Sequence, residues 1–429
     1  MMKVLMFGWE FPPHITGGLG TACYGMAKGL VKNGVELIFV VPKAYGDEDS
    51  SVADFVNASD VEVDFYETVY KEQMEKMTYI EVGSSLIPYL GPEEFEKYIE
   101  KLKSIPNYTS NPIYAQKYEF SGKYGANLMD EVARYALVAS KIACEHDFDL
   151  IHAHDWLTYS AGIAAKKASG KPLVVHVHAT EFDRTGEHVN SLVYNLEKAG
   201  MEAADKVITV SNLTANTVIN KYGINPDKVV TVHNAIELSE LPDIDEVKKN
   251  VKEKVVTFLG RLTFQKGPEY FIEAAKLILE KDSNVRFVMA GTGDLMEKMI
   301  RYVARLGLSS HFHFTGFLRG EQVDRMFAMS DVFVMPSVSE PFGLVPLEAM
   351  RVNVPVVISK QSGVSEILEH ALKIDYWDVN AMADFIYGLL HYDSLSQMYK
   401  RCGKQEIMEL KWEKAAAKIT GIYKTVINV

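Results

Sequence analysis

The chain has 429 residues, 48% apolar and 24% charged, a length for two or three domains with cores that need no disulfide staples. Its formal net charge of −12 argues against a general nucleic-acid or anionic-membrane surface, so an anionic ligand must be met by a few local cations. Cys23, Cys144 and Cys402 stand far apart with no CxxC pair and read as reduced thiols of a cytoplasmic protein. No apolar run approaches the ~20 residues of an integral membrane segment.

Lys3 to Trp9 reads as a first β-strand, stopped by acid and Pro-Pro, in preference to a signal peptide. A loop ending Gly17-Gly18-Leu19 follows, then a helix with Cys23, Met26, Ala27, Leu30 and Val31 on one face, then the strand VELIFVVP. Gly17 and Gly18 at the helix entrance let backbone amides approach a phosphate, although many such turns serve only the backbone. From Gly46 to Gly125 the alternation fails. This stretch holds nine of the 22 tyrosines together with acids and loop signals, and reads as an insertion, partly helical over Glu93 to Lys103. Its rings suit stacking on sugars, and equally the packing of a small subdomain.

Alternation resumes with strands over Phe148 to His154, Leu173 to His178, Lys206 to Val210 and Val229 to His233. Helices are expected over Leu157 to Ser169, Val189 to Ala204 and Leu213 to Tyr222. Such a pattern predicts a parallel, doubly wound sheet that binds ligands at the carboxyl ends of its strands. Polar residues collect there: His152, His154 and Asp155, then His176, His178 and Glu181, then His233 and Asn234. Residues two apart share a face, so HAH and HVH each present two rings on one side. A zinc site is the alternative to a structural reading, weakened because no cysteine assists and helices should cover both faces. His154 and His178, at the outer strand ends, are the cleft candidates; His152 and His176 are expected to be buried and hydrogen-bonded.

Leu238 to Asn250 is polar and reads as a linker. A second alternating unit follows, with strands at Val255 to Leu259, Val285 to Ala290, His311 to Thr315, Val332 to Met335 and Pro355 to Ser359. Its helices are expected near Pro268 to Glu280, Leu295 to Leu306, Glu321 to Ala328, Leu344 to Val352 and Val364 to His370. Arg261 and Lys266 follow its first strand and suit a diphosphate. The stretch Ser339 to Met350, SEPFGLVPLEAM, places Glu340 on a loop and Glu348 in the early turns of a helix. The start of that helix, with unpaired amides, suits an anion between the two acids. Trp412 to Ile427 has apolar residues at helical spacing.

These segments resemble the retaining glycosyltransferases of family 4 and, more distantly, the glycogen and starch synthases. The marks are Gly17-Gly18-Leu19, HAHDW (His152 to Trp156), VHATEFD (Val177 to Asp183), VSN, VHNAI, GRLTFQKG and EPFGLVPLEAM. The resemblance implies the GT-B architecture, an α/β fold of two Rossmann-like doubly wound domains facing across a cleft. An acceptor-side domain would span residues 1–238 with the insertion at about 46–125, and a nucleotide-sugar domain 239–411. Residues 412–429 would form a helix crossing back to the first domain.

By the same resemblance, Arg261 and Lys266 neutralise the donor diphosphate, Glu340 meets the hydroxyls of the transferred sugar and Glu348 holds the ribose. Phe342, Gly343 and Leu344 line the donor, His178 stands beside the anomeric carbon, and Gly18 approaches the phosphate. Asp155, Glu181 and Asp183 lie on the acceptor side. The synthases carry a lysine where this chain has Ile15, a non-acidic residue at Glu348, and Thr-Gly-Gly where this chain has Ser362-Gly363-Val364. The family 4 form therefore fits better, while HDW and HATEFD lean toward a glucan-making branch.

The implied activity is transfer of a hexose, glucose favoured, from a UDP- or ADP-sugar to a glycan or other hydroxyl acceptor. No cofactor and no metal are expected, since no Asp-x-Asp ends a strand, and the oligomeric state stays open. The alternatives are a sugar-nucleotide 2-epimerase, which needs no acceptor, and a non-catalytic nucleotide-sugar-binding protein.

Overall fold

The computed structural model describes residues 1–14, 17–64, 115–125, 127–237 and 251–427. The expected helix at Glu93 to Lys103, most of the insertion's tyrosines and the linker at Leu238 to Asn250 lie outside the described residues. Strands β1 (Met2–Phe7), β2 (Val35–Val41), β3 (Asp54–Asn57), β6 (Leu150–His154), β7 (Leu173–Val177), β8 (Lys206–Thr209) and β9 (Val229–Thr231) form one parallel sheet. Its order is β3-β2-β1-β6-β7-β8-β9. A short antiparallel pair, β4 (Glu62–Asp64) and β5 (Ala115–Lys117), stands apart from it.

The second sheet, also parallel, has the order β12-β11-β10-β13-β14-β15. It comprises β10 (Lys254–Leu259), β11 (Val285–Ala290), β12 (Phe312–Gly316), β13 (Val332–Met335), β14 (Val356–Ser359) and β15 (Leu372–Ile374). In each sheet the chain winds outward from the first strand and then returns to its other side. A switch point results between β1 and β6, and another between β10 and β13, and crevices open at such points. Two parallel, doubly wound α/β domains are therefore present, as expected of GT-B.

Successive side chains along each strand serve opposite faces, and those two apart share one. Leu5, Phe7, Ile151, Ala153 and Val175 pack under α2 (Leu128–Glu145), α3 (Trp156–Ser169) and α5 (Ser191–Ala203), which follows the single-turn α4 (Glu181–Thr185). On the other face Val4, Met6, Leu150 and Val174 meet α1 (Gly18–Lys32) and the last helix, Trp412–Ile427. The first domain also carries α6 (Asn212–Tyr222). In the second sheet Val256, Phe258, Phe287 and Val334 pack with α7 (Pro268–Leu279), α8 (Met296–Arg305) and, farther along the chain, α11 (Val379–His391). Phe333, Met335, Val356 and Ile358 pack with α9 (Glu321–Met329), α10 (Val345–Arg351) and α12 (Asp393–Ile407), and the last helix is α13 (Trp412–Ile427).

Several elements depart from the sequence reading. Asp54–Asn57, inside the expected insertion, is the edge strand of the main sheet, in parallel register with β2. Helices α2, α11 and α12 are additions to it. The expected helix at Val364 to His370 is only one 3-10 turn over Gly363–Glu366. Its amides at Gly363 and Val364 bond to Glu340 O at 2.9 Å and Phe342 O at 2.7 Å, which docks the segment on the neighbouring loop.

Helix α13 lies across α1. A Cβ at Gly29 would stand 2.6 Å from Trp412 O and 2.9 Å from Ala416 Cβ, so the absent side chain is what lets the two backbones approach. Lys32 pairs with Glu413 beside this contact, and Asn33 Nδ2 donates to Glu413 O at 3.0 Å. The two domains meet at Gly363, where a Cβ would lie 2.1 Å from Pro341 O and 2.5 Å from Ser211 Cβ. Next to it the Glu366 carboxylate accepts from the α6 amides of Asn212 at 2.9 Å and Leu213 at 2.8 Å, and lies 2.7 Å from His233 Nε2. Ser339 Oγ donates to Asp183 Oδ1 at 2.6 Å across the same junction.

Gly29→Ala gains up to about 1 kcal/mol of helix propensity and incurs about 1–3 kcal/mol of overpacking. The expected outcome is a lower midpoint in urea or heat; an equal or higher midpoint would show that α13 is not seated there. Glu366→Ala strands two amides and an imidazole, with an expected loss on the order of 2 kcal/mol and a larger radius of gyration in small-angle scattering. Unchanged values of both would place the closure of the domains elsewhere.

Candidate functional site

The second switch point gathers the residues expected on the donor side. Arg261, just past β10, is exposed, and its side chain makes no hydrogen bond or ion pair among the described residues. Phe264–Lys266 makes one 3-10 turn that lies against α4 of the first domain, so it brings Lys266 to the wall of the crevice. Lys266 pairs with Glu340 Oε2, which also accepts from Ser337 Oγ at 3.4 Å. Glu340 is nearly buried, and its backbone bridges to Ser362. A carboxylate and an ammonium thus hold one another where a sugar diphosphate would need both.

Glu348 sits in the first turn of α10, which begins one residue beyond the Gly343-Leu344 start expected for it. Burial raises its carboxyl above the usual range, against the pull of Arg351. Arg351 itself is paired with Asp324 at 2.7 Å, and the Glu348 carboxylate makes no hydrogen bond among the described residues. It is therefore available to an outside hydroxyl. Phe342 is buried in the core that joins the domains, near His233, so its side chain is a packing element and only its backbone can face a donor. Gly343 has a positive φ of 99°, and Leu344 touches the cores of both domains.

At the first switch point, Gly17 and Gly18 are exposed at the start of α1, with open space where a Cβ would stand. The nearby Gly20 amide is already taken by Glu10 Oε1 at 3.2 Å. Across from them, Asp155 has φ 59° and ψ 171°, a backbone region disfavoured for any side chain. Its carboxylate accepts from the amides of His178 at 2.6 Å and Ala179 at 3.3 Å, which explains why the strain is held. Burial pushes its carboxyl up to about 6, opposed by Arg184.

His178 is partly exposed, its Nε2 lies 3.0 Å from His154 Nδ1, and burial pushes its imidazole down to about 3, so it is neutral at pH 7. His154 does not share that access. It is fully buried, together with His152 and His176. His152 Nδ1 is 2.6 Å from the Tyr423 hydroxyl, whereas neither nitrogen of His176 has a partner among the described residues, against the expectation that it would be hydrogen-bonded. Helix α1 brings Cys23 to this group, with its sulfur and one nitrogen each of His154 and His178 within 4.8 Å of one another. A cysteine does stand beside the imidazoles, contrary to the sequence reading, because the covering helix supplies it from outside both strand motifs.

The acids expected on the acceptor side are committed to the protein itself. Glu181 is ion-paired with Arg184 at 3.4 Å and accepts from the Asn190 amide at 3.2 Å. Asp183 accepts from Thr180 N and Oγ1, both at 2.8 Å, and from Ser339. Asp155 holds the His178 backbone. These three carboxylates shape the loop after β7, partly by satisfying the unpaired amides of a strand-to-helix turn. Sequence reasoning also misses Glu366 and Ser339, whose partners lie in the other domain, with no local pattern to mark them.

Residues 3–232 match the family model of the starch synthase catalytic domain, and residues 241–406 match glycosyl transferases group 1. An uncharacterized glycosyltransferase of Methanocaldococcus jannaschii is 29% identical over all of this chain and 99% of its own length. The glycogen synthase of Mycobacterium tuberculosis is 22% identical, covering 98% of this chain and 94% of that protein. Among solved structures, the sucrose-phosphate synthase of Thermosynechococcus elongatus superposes with a TM-score of 0.71 at 16% identity, with full coverage of both chains. The first of the two family models spans more than half of the molecule and the second covers the domain that carries Arg261, Lys266, Glu340 and Glu348. The chain therefore belongs to the glycogen-synthase-like glycosyltransferases of the GT-B fold.

Proposed function

We propose that the protein is a retaining hexosyltransferase that moves glucose, in preference to other hexoses, from UDP- or ADP-glucose to a hydroxyl of a glycan acceptor. The observation that carries this reading is the convergence of a free Arg261, a paired Lys266 and Glu340, and an uncommitted Glu348 carboxylate at one switch point. The HDW and HATEFD segments of the opposing domain support the glucan-type acceptor.

In this mechanism the diphosphate draws Lys266 from Glu340 and takes Arg261 as its second cation. The freed Glu340 carboxylate accepts from hydroxyls of the sugar, and Glu348 accepts from the ribose. Breaking the bond between the anomeric carbon and the phosphate oxygen places negative charge on the diphosphate and positive charge on the carbon. Cations at the phosphate lower that barrier more than they stabilise the bound donor. The acceptor oxygen attacks on the face that the phosphate leaves, and its proton passes to the departing phosphate oxygen, so configuration is retained. Neutral His178 keeps Nδ1 uncommitted among the described residues and can hold a sugar hydroxyl beside the reacting carbon. Arg261 and Lys266 take the role that a divalent ion has in metal-dependent transferases.

Glu348→Ala is expected to weaken binding of the free nucleoside diphosphate by about 1.5–3 kcal/mol, measured by calorimetry. Unchanged affinity would remove Glu348 from the ribose. Arg261→Ala and Lys266→Ala should lower kcat on the order of a hundredfold or more, with a smaller change in donor affinity. Added Mg²⁺ or Mn²⁺ should leave wild-type turnover unchanged; strong activation by either would contradict charge neutralisation by these two side chains. Product analysis should give an α-linked glucan, and an altered nucleotide sugar formed without acceptor would overturn the transferase reading in favour of an epimerase.

A further inference from the structure

The mechanism above uses one of the four imidazoles in the HAH and HVH segments. Period-2 alternation places His152 and His154 of β6 on the sheet face beneath α1 and α13, and register sets His176 of β7 beside His154. The three rings are fully buried, with centroids 4.3 Å apart for His152 and His154 and 5.5 Å for each of the other two pairs.

Their hydrogen bonding is uneven in an informative way. His152 Nδ1 is held by the Tyr423 hydroxyl and His154 Nδ1 by His178, while Nε2 of both rings, and both nitrogens of His176, have no partner among the described residues. Buried polar atoms are rarely left so, and here four orphan nitrogens lie together. One nitrogen from each ring can be chosen so that all three lie within 4.8 Å of one another.

With Nδ1–H donated outward, to Tyr423 and to His178, the Nε2 lone pairs of His152 and His154 stay free for a ligand. Metal-binding histidines share this arrangement, the second ring nitrogen fixing tautomer and orientation. Burial keeps all three rings neutral, the form that ligates. A tetrahedral site with metal–nitrogen bonds of ~2.0–2.1 Å needs nitrogens about 3.4 Å apart, so each ring would move inward by no more than about 0.8 Å.

We propose that His152, His154 and His176 bind a divalent transition-metal ion of the zinc class as a structural site beneath α13. Neutral imidazoles select zinc and its neighbours over magnesium or calcium, which take oxygen ligands. The ion would join β6 to β7 and, through the Tyr423–His152 hydrogen bond, seat the last helix on the first domain. The Cys23 thiol on α1 stands beside His154 and is a candidate for a fourth ligand. This inference does not rest on the transferase reading, because its readouts are metal content and stability.

The test uses the full-length, untagged protein, unfolded with a chelator, dialysed and refolded with or without zinc. The expected result is about one equivalent of zinc per chain by elemental analysis, with a thermal midpoint a few degrees above the metal-free protein. Cobalt in place of zinc should give the visible bands of a tetrahedral site, and His176→Leu should abolish both the bands and the thermal shift. Should that variant fail to fold, wild-type metal content still decides. Less than about a tenth of an equivalent after refolding with zinc, and equal midpoints, would overturn the proposal. Metal that is lost in Cys23→Ser but retained in His176→Leu would overturn it as well, placing the ion at Cys23, His154 and His178.

Discussion

The two sheets can form one crevice only if something holds them edge to edge, and a single carboxylate does much of that. Glu366 faces the first two amides of α6 and the His233 ring, three groups that the first domain cannot satisfy from within. An anion at a helix start is favoured by the unpaired amides and by the helix dipole. The contact also requires Gly363, since any side chain there would drive Ser211 and Pro341 apart. The loop of Pro341 carries Glu340, whose carbonyl takes the Gly363 amide. Closure of the domains and placement of Glu340 are thus the same piece of backbone geometry.

Under the proposed function, the acidic balance of the chain gives this geometry a selectivity. With a net charge of −12, the molecule offers a diphosphate little general attraction. Arg261 and Lys266 are local exceptions at the ends of β10 and its following turn. Lys266 is compensated internally by Glu340, so a ligand must exchange with a partner that is already present. A simple inorganic anion has nothing to offer the displaced carboxylate, whereas a sugar diphosphate supplies hydroxyls to it. The ion pair can therefore discriminate between the two classes of anion.

Much of the architecture was legible because buried parallel strands are short apolar runs, as Val332 to Met335 and Leu173 to Val177 illustrate. The ligand-binding edge at the carboxyl ends of the strands followed from strand alternation, and with it the shared edge of Arg261, Lys266 and Glu340; the strand order, and so the switch points, did not. What escaped was set by tertiary partners. Asp54–Asn57 becomes a strand because β2 offers it an open edge, although its own four residues carry only a weak pattern. Val364 to His370 has helical spacing, yet its first amides bond to the loop of Glu340 and Phe342. The amides and Arg184 that Glu181 and Asp183 engage were not legible, because sequence does not reveal which carboxylates a turn will use for its own backbone. Cys23 lies 129 positions before His152 and 131 before His154, so its place beside them depends wholly on how α1 lies over the sheet.

The seating of α13 on α1 bears on how the molecule is made. Asn33 and Glu413, which meet at this contact, are separated by 380 residues. During synthesis the apolar face of α1 emerges early and stays uncovered until the second domain has been translated and the last helix follows it. The first domain therefore cannot reach its final state while the ribosome is still extending the chain, whatever the stability of its sheet. Non-local closure of this kind is slow and leaves apolar surface open to misassociation, which chaperones would have to shield. The helix that joins the two halves also makes the folding of the first conditional on completion of the second.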